Sequence, residues 1–334
     1  MHFFHLSHTD LDGYTCQFIT KQIYPEGFFT NANYGDEIMV RIDEIIKKME
    51  EDPTKEYFFL ITDLNLSDEE ATFLQEKTKQ FSNLKLQLLD HHISGLETSQ
   101  QFHWYHLDVT KSASLITYEY FNRPQNLENL IKSVNAVDIW FQDDPAFEMG
   151  KVLMRLIDEA KEISRLTFNA ENIAYKHFML QQALKYLHQD NGHILLDEAI
   201  CSIKKSFFQK DHNDTFDNLL TSFIVNLLTI KSDEMSIEYQ GSKGILTFGI
   251  QNSSIVGNAF LKANPYFHFF MNVSPRGTFS LRADNKIDVS KMAEAIAGGG
   301  GHPNASGGKI KGMKEFFVYH DLRNFIQSLL NEKK

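Results

Sequence analysis

The run from Leu84 to Leu89 is apolar except for Lys85 and Gln87, and it stops abruptly at Asp90-His91-His92. A short apolar segment of that length reads as a strand. An acid and two imidazoles at its end mark either a hydrogen-bonded surface turn or a strand that delivers side chains to a site. Two further runs decide between these. His2 to Ser7 ends in His8-Thr9-Asp10-Leu11-Asp12-Gly13, and Tyr57 to Thr62 ends in Asp63. The second is compact and apolar throughout, as expected of a strand covered on both faces. Phe28 to Asn33 is another strand candidate. Helix-like spacing fills the intervals at Tyr14 to Tyr24, at Ile38 to Met49, and from a capping box of Ser67 with Glu70 to about Gln80. Alternation of this kind predicts an α/β fold with a parallel sheet. Ligands of such sheets gather outside the carboxyl ends of the strands, so the acids should converge there.

Further along, Lys111 to Phe121 and Leu127 to Val137 read as helices, the latter carrying Asp138 into Ile139 and Trp140. An acid flanked by such apolar residues is costly to bury unpaired, which favours a metal ligand over an exposed helix-end acid. Asp10, Asp12, Asp63 and Asp138 together carry four negative charges. Left alone they would repel one another and bind protons, whereas two divalent cations would neutralise them. Mixed carboxylate and imidazole ligands suit manganese-like ions better than metals that prefer thiolates. Adjacent strand side chains point to opposite sides, so His91 and His92 are not expected on the same ion unless the turn rotates them together; one should bind metal and the other face substrate.

Composition narrows the partner. The formal net charge of -11 is wrong for coating long nucleic acid through a broad basic groove, so an anionic partner should be small. Only Cys16 and Cys201 are present, without a CxxC pair, which excludes a disulfide scaffold and a cysteine zinc site and suits a reducing compartment. Met1-His2-Phe3-Phe4-His5 lacks the form of a signal peptide, and no run approaches the roughly 18 apolar residues of a membrane span. A cytoplasmic location is the expectation.

The length of 334 residues predicts more than one domain. Residues 1–190 are read as the catalytic domain with its helical part, 191–231 as a helical connector, and 232–334 as a smaller α/β domain. In the middle, Met154 to Ile163 and Ala170 to Leu187 have helical spacing suited to core and struts. The last domain is expected to hold a hairpin of Met235 to Tyr239 with Gly244 to Ile250. After it come a helix from Ser254 to Ala263, strands at Phe267 to Val273 and Thr278 to Ala283, and a helix from Val289 to Ala297. The glycine-rich stretch that follows, Gly298 to Gly301 with His302-Pro303-Asn304, is read as a loop presenting backbone amides and His302 to an anion. Arg282 and Arg276 are the candidate bidentate donors to a substrate phosphate or base.

These residues, in this order, resemble the DHH phosphoesterase superfamily: Asp10 and Asp12 in D-x-D-G, Asp63 at a strand end, Asp90-His91-His92, and the later Asp138. Gly298 to Gly308 is similar to the GGGH loop of the DHH-associated C-terminal domain, and the length most resembles the bacterial nano-RNase and pAp phosphatase group. The resemblance implies that Asp10, Asp12, Asp63, His91 and Asp138 hold two manganese ions, with other divalent metals compatible. Asp63 and Asp138 would bridge or share the ions, His92 would contact the scissile phosphate, and Asp90 would support His91. One departure concerns the first ligand. Many members have a histidine four positions before the first acid, where this chain has Leu6; His8 resembles the variant of some exonuclease members. Gly299, Gly300, Gly301, His302, Arg282 and Arg276 would bind substrate. The implied reaction is release of mononucleotides from very short oligonucleotides, with pAp and linear dinucleotides such as pApA as related substrates held in a cleft between the domains. A homodimer is compatible with the resemblance. A RecJ-type exonuclease on long single strands, a manganese-dependent pyrophosphatase, and a non-catalytic cyclic-dinucleotide-binding protein are the alternatives.

Overall fold

The computed structural model describes residues 1–124 and 126–333. The chain forms two compact units, one of Met1–Ala160 with Ile173–Lys204, the other of Lys161–Asn172 with the chain from Lys205 onward. The stretch 191–231 is thus divided between the two units.

In the first unit the order is β1 (His2–Ser7), α1 (Leu11–Ile23), β2 (Phe28–Asn31), α2 (Asp36–Glu50), β3 (Tyr57–Thr62), α3 (Asp68–Thr78) and β4 (Leu84–Asp90). There follow a 3-10 turn (Ile93–Gly95), α4 (Leu96–Ser99), β5 (Tyr105–Leu107), α5 (Ala113–Tyr120), α6 (Glu128–Asp138), α7 (Phe147–Asp158), α8 (Asn169–Ala183) and α9 (Gly192–Phe208), and the chain changes units within α8 and again within α9. The strands form one parallel sheet in the order β2-β1-β3-β4-β5. All six residues of the apolar run Tyr57–Thr62 are buried. Leu6, Phe59, Ile61 and Leu88 of the sheet pack with Ile42, Ile45 and Ile46 of α2 and Leu74 of α3. Each such side chain contributes about 1.5–3 kcal/mol by leaving water. The capping box opens α3 as expected: Ser67 Oγ accepts from the Glu70 amide at 3.3 Å, and Glu70 Oε2 accepts from the Ser67 amide at 2.8 Å. Because β2 and β3 flank β1 on opposite sides, the strand order reverses between β1 and β3. That crevice is where open sheets of this kind take their ligands.

The second unit contains α10 (Phe216–Ile230), α11 (Ser232–Met235), β6 (Ser236–Tyr239), β7 (Ser242–Phe248), α12 (Ser253–Ala263), β8 (Phe269–Val273), β9 (Thr278–Ala283), α13 (Val289–Ala297), β10 (Gly300–His302), β11 (Ala305–Lys309) and α14 (Tyr319–Glu332). Its sheet runs β10-β11-β9-β8-β7-β6, parallel at β7 and β8 and antiparallel elsewhere. Phe269, Met271, Leu281, Val289, Met292, Leu322 and Ile326 share its core. At the β6 edge, Gln327 of α14 closes the free backbone. Its Nε2 donates to Glu238 O at 2.9 Å, and its Oε1 accepts from Glu238 N at 2.8 Å, so one amide side chain stands in for a neighbouring strand. The glycine-rich stretch is not a free loop. Gly298, left-handed at φ 61, ends α13, and the residues after it form the edge hairpin of β10 and β11. Among the described residues no helix is long and apolar enough to cross a membrane.

His5 and His177 are buried in the first unit away from the strand ends. His5 of β1 is fully buried, with Thr20 Oγ1 and Thr62 Oγ1 each 2.8 Å from one ring nitrogen, which satisfies the one donor and one acceptor of a neutral imidazole. Burial, and to a smaller degree His177, lowers its pKa to about 3. His177, edge-on to Phe18 and Phe29, is lowered to about 3 by burial and then by Lys21. In the unfolded chain both titrate near 6.5. Below that pH the unfolded chain binds more protons than the folded one, so the stability present above 6.5 is lost as pH falls toward 3. Denaturant unfolding should therefore yield about 2 kcal/mol less per histidine at pH 5.0 than at pH 7.5. His177→Gln should remove one histidine's share of that slope; an unchanged slope would assign the acid lability elsewhere.

Candidate metal centre

Each acid of the strand ends is placed by a local backbone device. Asp10 caps α1, its Oδ1 accepting from the Gly13 amide at 3.0 Å. Asp12, in the first turn of α1 and 1% exposed, accepts at its two oxygens from the Ala113 and Ser114 amides at 2.7 and 3.0 Å, so it also satisfies the N-terminus of α5. Gly13 permits this arrangement, because a Cβ there would lie 2.4 Å from the His8 carbonyl oxygen. Asp63 follows β3 with φ 58, a left-handed conformation that is strained for a residue with a side chain, and its amide donates to Leu89 O at 3.1 Å. Asp138 is the last residue of α6.

The side chains meet at the carboxyl ends of β1, β3 and β4. Three groups of prospective ligand atoms each lie within 4.8 Å of one another: His8 with Asp10 and Asp63, Asp12 with His91 and Asp138, and Asp63 with His91 and His92. Asp63 and His91 each belong to two groups, so the three form one basin. His8 Nδ1 is 2.8 Å from Asp10 Oδ2 and 3.7 Å from Asp63 Oδ2. His91 Nε2 is 3.4 Å from Asp63 Oδ1 and 3.5 Å from Asp138 Oδ2. Burial, then Asp10 and Asp12, drive the Asp63 carboxyl well above its ordinary range, and burial followed by Asp12 pushes Asp138 to about 8. Asp12 is also raised, by burial first. Against burial, which acts the other way in both cases, the His8–Asp10 pair holds Asp10 at about 2 and lifts His8 to about 10. One histidine cation does not balance the carboxyl groups of Asp10, Asp12, Asp63 and Asp138. Asp63 Oδ2 and Asp138 Oδ2 are buried without a hydrogen-bond partner among the described residues, a costly state for carboxylate oxygens that a cation would relieve. Hard oxygen donors with imidazole nitrogens fit divalent ions of the manganese or magnesium kind.

The Asp90-His91-His92 segment differs from expectation in its internal pairing. Asp90 supports His92, with Oδ1 2.8 Å from His92 Nδ1, and its Oδ2 accepts from Tyr105 Oη at 3.0 Å. β4 ends at Asp90, so the turn after the strand sets which imidazole the carboxylate reaches, and it is that of His92. The turn after β4 brings the His91 and His92 rings together, with centroids 4.3 Å apart. Tyr34 and Tyr105 at this site carry no motif in the sequence. The position of Tyr34 just past β2, a strand end beside the reversal of strand order, was the available signal.

In the second unit, Arg282 of β9 donates from Nη1 to Leu281 O at 2.8 Å and from Nη2 to Ser254 Oγ. It pairs in register with Ala305, which in turn faces His302 across the hairpin. Arg276 lies in the turn before β9, at the opposite end of that strand from Arg282. The fold brings Arg282 beside the hairpin and leaves Arg276 at the far end of the sheet. β10 carries Gly300, Gly301 and His302, all exposed, with Gly299 immediately before it.

Residues 260–332 match the DHHA1 domain family. The chain is 40% identical to a 3',5'-cyclic-nucleotide phosphodiesterase of Helicobacter pylori, over 99% of each protein. The chain belongs to the DHH phosphoesterase superfamily. A crystal structure of an uncharacterized protein from Helicobacter pylori G27 is similar throughout, with 39% identity, a TM-score of 0.93 and coverage of 99% of both chains. This DHH protein is accordingly a metal-dependent phosphoesterase.

Metal binding and two substitutions test this arrangement in the phosphoesterase. Manganese should raise the melting temperature of chelator-treated protein, and calorimetry at pH 6.5 should show proton release on binding, since Asp138 titrates near 8 without the ion. Asp63→Asn should melt higher than the wild type without metal, because it relieves buried repulsion, and should lose the metal-dependent gain; a wild-type gain in this variant would remove Asp63 from the ligand set. Gly13→Ala should cost about 1–3 kcal/mol by overpacking against His8 and should weaken manganese binding, as read by denaturant unfolding and calorimetry.

Proposed function

We propose that this phosphoesterase hydrolyses phosphodiester bonds of small nucleotides, releasing mononucleotides from very short oligoribonucleotides and from linear dinucleotides such as pApA, with pAp as a related substrate. The observation that carries this reading is the sharing of Asp63 and His91 between adjacent ligand groups, a spacing suited to two neighbouring cations around one phosphoryl group. His8, Asp10 and Asp63 would hold one ion and Asp12, His91 and Asp138 the other, with manganese the proposed metal. Bound divalent ions supply positive charge to a phosphoryl group and acidify water. The protein's own groups do the rest. Asp63 and Asp138 keep their oxygens directed into the basin, and Asp10 and Asp12 are fixed by backbone amides before any ion arrives. His92, held at Nδ1 by Asp90, turns its other ring nitrogen toward a phosphoryl oxygen. The nucleotide is assigned to Arg282 and to the backbone around Gly299, Gly300, Gly301 and His302, and the net charge of -11 favours a short substrate over a long strand.

A second reading has specific support. The relative identical at 40% of positions is a 3',5'-cyclic-nucleotide phosphodiesterase, and opening a cyclic monophosphate breaks the same class of bond. A single panel tests both readings: chelator-treated protein with manganese is given RNA of two to five residues, pApA, pAp, a 3',5'-cyclic mononucleotide and a long single strand, and products are separated by chromatography. Mononucleotide should appear from the small substrates and fall to background in Asp63→Ala and His91→Ala, while Arg282→Ala should raise KM. Activity retained by either basin variant would sink the site assignment, and preference for the long strand would sink the substrate class.

A further inference from the structure

A tryptophan stands two residues beyond Asp138, at a backbone position that favours glycine. α6 ends at Asp138, with Ile139 as its C-cap. Beyond it the Phe141 amide donates to Ala136 O at 2.7 Å and the Trp140 amide to Val137 O at 3.3 Å, the paired bonds of a Schellman ending. Trp140 takes the left-handed position of that ending, at φ 58. Glycine is the usual occupant there, because a side chain crowds the backbone. Burial does not repay the strain. Trp140 is 61% exposed, whereas the other tryptophan of the chain, Trp104, is 4% exposed. An exposed aromatic held in a strained turn adds little to the fold, and such strain persists where a site uses it. The turn itself is firm. The Gln142 amide donates to Trp140 O at 3.2 Å, the Asp144 amide to Phe141 O at 3.2 Å, and Asp144 Oδ1 accepts from the Ala146 amide at 2.8 Å. Beneath it α6 and α7 are in close contact, since a Cβ on Gly150 would lie 2.3 Å from Ser133 O and 2.7 Å from Val137 Cβ. The indole meets the buried ring of Phe147 at 5.3 Å between centroids and 88°, so it is braced on one side and open elsewhere. The basin is close by. Asp138 Oδ2 lies 3.5 Å from His91 Nε2, and two trans peptides keep the Trp140 Cα within about 7.6 Å of the Asp138 Cα.

We propose that Trp140 is a stacking platform for a nucleobase of the substrate whose phosphoryl group lies in the basin. This deepens the nucleotide reading above and rests on it. An indole face accepts any base, so the platform selects nucleotides over base-free phosphate esters without reading sequence. Ions and carboxylates meet only the phosphoryl end of a substrate, and the indole supplies a contact for the other end. Because the turn is fixed before substrate arrives, little ordering is needed on binding.

Fluorescence and kinetics in the presence of manganese test it together. Trp140 is the exposed one of two tryptophans, so AMP should quench its emission in the wild type. Ribose 5-phosphate keeps the phosphate and lacks the base, and should leave the emission unchanged. Trp140→Phe retains only Trp104 and should show no quenching by AMP. On the small nucleotide turned over fastest, Trp140→Ala and Trp140→Gly should each raise KM about tenfold or more, with kcat and manganese affinity within about threefold. Trp140→Phe, a smaller platform, should recover most of that loss. Glycine relieves the left-handed strain that alanine retains, so Trp140→Gly should melt higher than Trp140→Ala at equal KM, which separates stacking from stability. Failure of the wild type to turn over any small nucleotide would overturn the nucleotide reading and this inference with it. With the wild type active, an unchanged KM in Trp140→Ala, equal quenching by AMP and ribose 5-phosphate, or a KM that follows melting temperature across the variants would overturn the platform alone. Loss of a dimer in Trp140→Ala would also overturn it, by reassigning the ring to an interface between copies.

Discussion

Carboxylates crowded at the ends of neighbouring strands repel one another, and the first unit is arranged so that this repulsion is sustained without unfolding the chain. Asp10 and Asp12 are tied to backbone amides of two helix starts, one of them α5, far away in sequence. Asp63 sits in a strained left-handed turn directly after a fully buried strand. The stabilisation comes from the apolar packing beneath, and the strain and charge are concentrated on the rim, where cations would neutralise them. Such a site trades stability for readiness to bind, a balance common to functional sites.

The positions of the acids were legible because the strands that carry them are apolar runs with sharp ends. Tyr57 to Thr62 leaves little choice of structure, and where it stops Asp63 is delivered. β5 was not legible. It has three residues, and His103 and His106 near Trp104 look like isolated polar residues until pairing with β4 is formed. α7 begins at Phe147, earlier than the helical pattern from Met154 suggests, because Gly150 within it reads as a break. The glycine-rich stretch reads as a loop because glycine carries no side-chain periodicity, yet backbone pairing alone makes it a hairpin.

Site roles were less legible than site positions. That Asp90 serves His92, and that His91 and His92 approach each other, both depend on the turn that follows β4. Both outcomes arise within three consecutive residues. Tyr34 was invisible for another reason: it reaches the site through the strand order, since β2 lies beside β1 only in the folded sheet.

The amide of Gln327 gives the second sheet a polarity of growth. With the backbone of Glu238 occupied by one side chain, the β6 border cannot accept another extended chain along that stretch, while β10 at the opposite border is short, exposed and two-thirds glycine. The sheet is a ruler with one end sealed. Any extended backbone that docks on it by main-chain pairing is directed to the border that carries His302.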